Sequence, residues 1–139
     1  MVFMIGIEVV IKVVLAVIVG GLIGFERQSA KKNAGLRTHI LLTLAACVLV
    51  VASLEIAPYE LIRTIAGIVT GMGFIGAGAI ISGDNKIRGI TTAASLWTVT
   101  IIGITIGIGL YDLAIITAII VWIVLWLGKI EYKTKRKWF

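Results

Sequence analysis

The stretch Gly67-Ile-Val-Thr-Gly71-Met-Gly73-Phe-Ile-Gly76-Ala-Gly78, followed after a short polar break by Arg88-Gly-Ile-Thr-Thr-Ala-Ala-Ser-Leu-Trp97, decides how this chain is read. In water a helix so rich in glycine is poor, because each interior glycine costs about 1 kcal/mol relative to alanine. In lipid no hydrophobic force draws helices together, and small residues permit the close backbone approach that holds them instead. On a helix turning about 100° per residue, Gly67, Gly71 and Gly78 fall within roughly 40° of one another, with Gly73 and Gly76 on the opposite side. A helix lined by glycine on both sides is expected in the middle of a membrane bundle.

Composition points the same way. Of 139 residues, 60% are hydrophobic and 14% charged, with a mean hydropathy of +1.12, which excludes a soluble domain of ordinary make-up. Five apolar stretches, about 3–25, 39–57, 62–82, 89–110 and 112–128, are separated by glycine, charge or Pro58. The expected fold is therefore all-α: a polytopic bundle of five transmembrane helices over residues 1–128, followed by a basic tail at 129–139. The first stretch carries Glu8 and Lys12 within an apolar run longer than a signal-peptide core, so it is expected to remain as a span. The fifth is short. Leu113–Gly128 reaches only roughly 24 Å against a hydrocarbon core of about 30 Å, so flanking residues or a thinned bilayer must compensate.

Charge sets the expected orientation. Arg27, Lys31, Lys32 and Arg37 follow the first span, Lys86 and Arg88 the third, and Lys129, Lys133, Lys135, Arg136 and Lys137 the fifth. An odd number of spans puts all three groups on one side, which the positive-inside rule makes the cytoplasm, with the N-terminus outside. Tyr59 and Tyr111 would anchor the outer interface, Trp126 and Tyr132 the inner one. The net charge of +6 then reads as an orientation signal and an affinity for anionic lipid at the cytoplasmic face. Nucleic acid is not an expected partner, since no basic motif with interleaved aromatics occurs.

Catalytic signatures are missing as well. There is no Gly-x-Ser-x-Gly elbow, no His-Glu-x-x-His helix and no phosphate-binding loop, and one histidine, His39, cannot run an acid–base scheme alone. An enzyme is not expected. The single cysteine, Cys47, lies in an apolar run and reads as a small core residue.

The polar residues within or beside the spans need partners. Glu8 and Lys12, four apart in the orientation that best pairs acid with base, form an intramembrane charge pair, serving either as an interface anchor or as part of an ion or proton pathway. At the other end Glu26, Arg27, Arg37, Asp84 and Arg88 are expected to gather into a polar cluster, as a structural clamp, an anion or lipid-phosphate site, or a gate. His39 reads as a hydrogen-bonded boundary residue. Along the fourth span Thr91, Ser95, Thr98, Thr105 and Gly109 share roughly 80° of the helix surface, a hydroxyl stripe that either bonds its own backbone and neighbours or lines a wet cleft. Gly20 and Gly24 on the first span, and Gly103 and Gly107 on the fourth, make further close-contact faces, toward this chain or another copy.

In order, the blocks Gly20-Gly-Leu-Ile-Gly24-Phe-Glu26-Arg27-Gln28, Ala34-Gly-Leu-Arg37-Thr38-His39, Gly71 to Gly78 and Arg88 to Trp97 resemble the MgtC/SapB family of bacterial and archaeal membrane proteins. The resemblance implies a five-span inner-membrane domain with an external N-terminus. It also implies an association with growth in low magnesium, with survival inside host cells, and with restraint of the F-type ATP synthase. By position, Glu26, Arg27, Arg37, Arg88, Thr91, Thr92 and Ser95 fall within the family's motifs. Longer members carry a soluble domain after the last span, whereas this sequence continues as Lys129 to Phe139, so a short form is expected. The leading expectation is a small membrane regulator of magnesium homeostasis or membrane energetics. It would act through helix contacts with another copy, as a homodimer, or with a larger membrane partner such as ATP synthase. The alternative is a Mg²⁺ or other ion transporter. No cofactor is called for. Mg²⁺ stays open as a ligand, but it requires oxygen donors in octahedral reach and the acids lie mostly at the two surfaces, so no metal ligands are assigned.

Overall fold

The apolar runs become five helices in the computed structural model, which describes residues 6–83 and 86–135. Helix α1 spans Ile7–Ser29, α2 Leu36–Ile56, α3 Leu61–Ala79, α4 Ile90–Ile108 and α5 Tyr111–Lys135. A single 3₁₀ turn, Pro58–Glu60, joins α2 to α3. A small antiparallel hairpin joins α3 to α4, with β1 (Ile81–Gly83) against β2 (Lys86–Arg88) and Ile81 opposite Arg88. All five helices are long and apolar enough to cross a membrane, and the chain is a multi-pass membrane protein.

Local chemistry explains the boundaries. Pro58 lacks an N–H and disfavours helical geometry in the residue before it, so α2 stops at Ile56 and Ala57 leaves the helical conformation. Gly109, in the left-handed region at φ 99°, closes α4 by donating its N–H to the Thr105 and Ile106 carbonyls at 3.2 and 3.0 Å. Gly89 at φ 92° opens the same helix. A Cβ there would meet the Ala79 carbonyl oxygen at 2.1 Å, so only glycine lets the start of α4 lie against the end of α3.

Several ends differ from the expected spans. Helix α3 stops at Ala79, not 82, because the chain turns extended at Ile80 and enters the hairpin. Helix α5 continues beyond Gly128 to Lys135, but the added residues include Lys129, Glu131, Lys133 and Lys135, so the part apolar enough to cross a membrane remains Tyr111–Gly128, as short as expected. Helix α1 runs on to Ser29, beyond the expected span end at 25, with Glu26 and Arg27 in its last turns. Residues 3–5 of the first expected span lie outside the described residues, as do 136–139 of the tail.

The larger correction concerns the centre of the bundle. Helix α4 is the most enclosed, with Leu96, Val99, Ile102 and Ile106 all at most 1% exposed. The glycine-rich α3 is peripheral and buries only Met72. Open space surrounds Gly67, Gly71, Gly73 and Gly78, and Gly76 only just reaches the Ala93 Cβ at 4.0 Å. Glycine periodicity states where a close approach is permitted, and in this chain the close approaches are made elsewhere. A Cβ on Gly20 would lie 2.7 Å from Thr43 Oγ1 and 2.9 Å from the His39 carbonyl oxygen; one on Gly24 would lie 2.8 Å from Leu36 Cα. From the other side a Cβ on Gly103 would lie 2.3 Å from the Thr43 carbonyl oxygen, and one on Gly107 2.7 Å from Val50 Cβ. Helix α2 is thus clasped between α1 and α4, backbone against backbone.

Replacing Gly103 by alanine should therefore lower unfolding stability in detergent by about 1–3 kcal/mol, the cost of overpacking a tight contact. Gly71→Ala should leave stability unchanged or raise it by up to about 1 kcal/mol through helix propensity. Denaturant unfolding followed by circular dichroism compares the two, and equal losses would contradict the peripheral position of α3.

Candidate functional site

The missing side chains at Gly20 and Gly24 bring α1 onto α2 where the chain's polar residues are densest. Gln28, one turn beyond Gly24, accepts the Leu36 N–H on its Oε1 at 3.3 Å, satisfying one of the free donors at the start of α2. That fixes the first turn of α2, and His39 with it, against the last turns of α1.

Glu26 and Arg27 lie at this junction and are 4% and 3% exposed. Charges so deeply enclosed persist only when paired and hydrogen-bonded. The Arg27 Nε donates to Glu26 Oε2, and its Nη2 donates to the Leu125 carbonyl in α5 at 3.1 Å. One guanidinium therefore joins the end of α1 to the later half of α5.

His39 is wholly buried. Its Nδ1 lies 2.8 Å from the Gly35 carbonyl and its Nε2 lies 3.1 Å from Ser95 Oγ on α4. Ser95 Oγ in turn lies 2.8 Å from the Thr92 carbonyl, and Thr43, one turn along α2, donates to the His39 carbonyl at 2.8 Å. Glu26, Arg27, His39, Thr92 and Ser95 thus form a buried polar layer spanning α1, α2 and α4, with Arg27 reaching α5.

The wider cluster expected here does not form among the described residues. Arg37, Arg88 and Thr91 are exposed, and Asp84 lies outside the described residues. Helical geometry gives the reason. Arg37 is two residues before His39 and Thr91 one before Thr92, so each is turned roughly 100–200° from its buried neighbour. The contributions of Gln28, Thr43 and the Leu125 carbonyl were not anticipated. Thr43 could have been found, since it follows His39 by four residues on one face; a backbone carbonyl as acceptor leaves no trace in a sequence.

At the opposite end, Lys12 pairs with Glu8 at 2.9 Å, with 10% of the lysine side chain exposed and 69% of the glutamate. The ammonium also lies beside Gly109, where a Cβ would be 4.0 Å from Nζ. It therefore faces the carbonyl end of α4, the negative pole of that helix. Between the two polar ends Ala16, Val19, Ile23, Cys47, Val99, Ile102 and Ile106 pack into one apolar cluster. The hydroxyls of α4 turn to their own backbone: Thr98 to Ala94, Thr100 to Leu96 and Thr105 to Ile102, at 2.8 to 2.9 Å. Among the described residues no three of His, Cys, Asp and Glu gather in a way that could hold a metal ion.

Compared with known families, residues 13–132 match the MgtC family. The chain belongs to it. The matched region takes in the whole buried polar layer and starts one residue after Lys12. YhiD of Escherichia coli K12, provisionally named a magnesium transporter, is 39% identical over 127 residues, covering 85% of this chain and 59% of that protein. Protein MgtC of Salmonella typhimurium LT2 is 38% identical over 112 residues, covering 81% and 48%. Protein MgtC of Brucella abortus is 41% identical over 107 residues, covering 76% and 45%. The chain thus spans about half the length of these relatives. No solved structure matches it.

Arg27→Met should cost about 3–5 kcal/mol of stability, because it takes the guanidinium from a buried carboxylate. The double variant Glu26→Gln, Arg27→Met removes both charges and should recover part of that loss. Unfolding of the two in the same detergent measures the difference; a double variant no more stable than the single would show that the ion pair is not what the layer depends on.

Proposed function

We propose that this protein is a membrane regulator linked to magnesium homeostasis, acting through lateral contacts of its helices and not by carrying the ion itself. The observation that carries this reading is the closed centre of the bundle. A path from Lys12 to Glu26 would have to cross Val99, Ile102 and Ile106, none of them exposed, alongside hydroxyls already bonded to their own helix. Mg²⁺ gives up its water reluctantly and needs several oxygen ligands, which this apolar cluster does not offer.

The link to magnesium rests on family membership and on the name borne by the YhiD relative. Lateral contact is supported by α3, which stands apart enough to leave an open groove of about 430 Å³ against α2 and α4, lined by Leu42, Ala45, Gly67, Gly71 and Met72. Small residues on such a face allow a foreign transmembrane helix to approach closely.

Proteoliposomes containing the full chain should show magnesium uptake equal to that of protein-free vesicles, measured with an entrapped indicator dye. In a strain lacking the protein, the wild type should restore growth in low magnesium. Gly71→Leu, placed on the uncovered face and compatible with the fold, should not. Uptake above background that disappears with Glu26→Gln would overturn the regulatory reading in favour of transport.

A further inference from the structure

The hydrogen-bond partners of the buried His39 ring are compatible with two protonation states. A carbonyl can only accept, so the contact of Nδ1 with the Gly35 carbonyl at 2.8 Å places a proton on that nitrogen. The other nitrogen, Nε2, faces Ser95 Oγ at 3.1 Å, and the same hydroxyl faces the Thr92 carbonyl at 2.8 Å. A serine hydroxyl has one proton to give. If it donates to Nε2, the ring is neutral. If it donates to the Thr92 carbonyl, Nε2 must carry a proton of its own and donate it to Oγ, which makes the ring an imidazolium.

Both arrangements satisfy the ring and the hydroxyl without moving a heavy atom. They differ by one proton, taken from water onto Nε2, and by the rotation of one O–H bond. The Thr92 carbonyl loses nothing essential when the hydroxyl turns away, because it remains within the hydrogen-bonded ladder of α4. The partner that decides the charge of the ring, a hydroxyl, can either donate or accept.

We propose that His39 is a proton-binding site with Ser95 as its reversible partner, and that its charge acts on the Glu26–Arg27 pair beside it. On α1 the charges facing the ring are Arg27 and Glu26, opposed in sign. On α4, which carries no charged residue, it meets the Ser95 hydroxyl, and on α2 the nearest charge, Arg37, is exposed. The one charged residue of α3, Arg63, lies at the far end of the bundle, and Arg88 of the hairpin is exposed. In α5 the element presented to this layer is the Leu125 carbonyl, with further ionisable residues from Lys129 onward in the sequence. Protonation places a second cation within electrostatic reach of the pair, repelling Arg27 and attracting Glu26. Since Arg27 also holds the Leu125 carbonyl, binding of a proton between α2 and α4 is felt where α1 meets α5.

The chain contains a single histidine, so isotope-labelled imidazole reports this site alone. The full protein in lipid nanodiscs, followed by ¹⁵N NMR, should show the Nδ1–H tautomer at high pH and a doubly protonated ring at low pH. The Leu125 carbonyl ¹³C resonance should move with the same midpoint. Ser95→Ala removes the acceptor of a cationic N–H and should lower the ring's proton affinity about tenfold or more. Glu26→Gln should lower it too, whereas Thr98→Ala, whose hydroxyl bonds Ala94, should leave it unchanged. A ring that keeps one protonation state at every pH at which the wild type stays folded, or an Nε2–H tautomer at high pH, overturns the proposal without recourse to any variant. So does an unaltered affinity in a Ser95→Ala protein with native circular dichroism. A Leu125 carbonyl indifferent to pH would sink the coupling to α5.

Discussion

The contact on which the rest depends is the approach of α2 to its two neighbours through the absent side chains of Gly20, Gly24, Gly103 and Gly107. Distances of 2.3 to 2.9 Å from the would-be Cβ atoms to the backbone or side chains of α2 leave no room for even a methyl group. In a bilayer this is where stability must come from, since apolar side chains gain little by leaving lipid for one another, while close backbones gain dispersion contacts along their whole length. Thr43 stands at the crossing, its hydroxyl under Gly20 and its carbonyl under Gly103.

The polar layer follows from that geometry. Because Gly24 seats α1 on the first turn of α2, Glu26 and Arg27 are drawn out of water and must find partners inside the protein. They find each other, and Arg27 finds α5. Because Gly103 and Gly107 seat α4 on the other face of α2, Ser95 arrives within hydrogen-bond distance of His39. The same two crossings fill the centre with Val99, Ile102 and Ile106, which separates this layer from the Lys12–Glu8 pair at the far end. A bundle built this way has polar chemistry at its ends and a closed waist.

Much of this was legible before any coordinates. Apolar length and charge punctuation predict five spans, and the helices deliver five, with boundaries moved where Ile80 turns extended and where α5 runs past Gly128. The spacing of Glu8 and Lys12 foretells their ion pair. Glu26, Arg27, Thr92 and Ser95 were candidates on residue type and motif, yet so were Arg37, Arg88 and Thr91, which are exposed. Residue type cannot separate them, because a helix turns neighbours in sequence to different faces. The glycines of α3 misled for a related reason: absence of a side chain allows contact but does not name the partner, and α4 spends its glycines on α2.

By itself the sequence determines the solvent this protein lives in, the number of its helices and the faces on which they can come close, since these follow from hydropathy, length and periodicity along one chain. Tertiary structure alone decided that α4 is central and α3 peripheral, that Arg27 bonds a carbonyl 98 residues away, and that His39 meets a hydroxyl 56 residues away. Those pairings depend on which of several permitted faces meet, a choice made by the packing of five helices together and written in no single one of them.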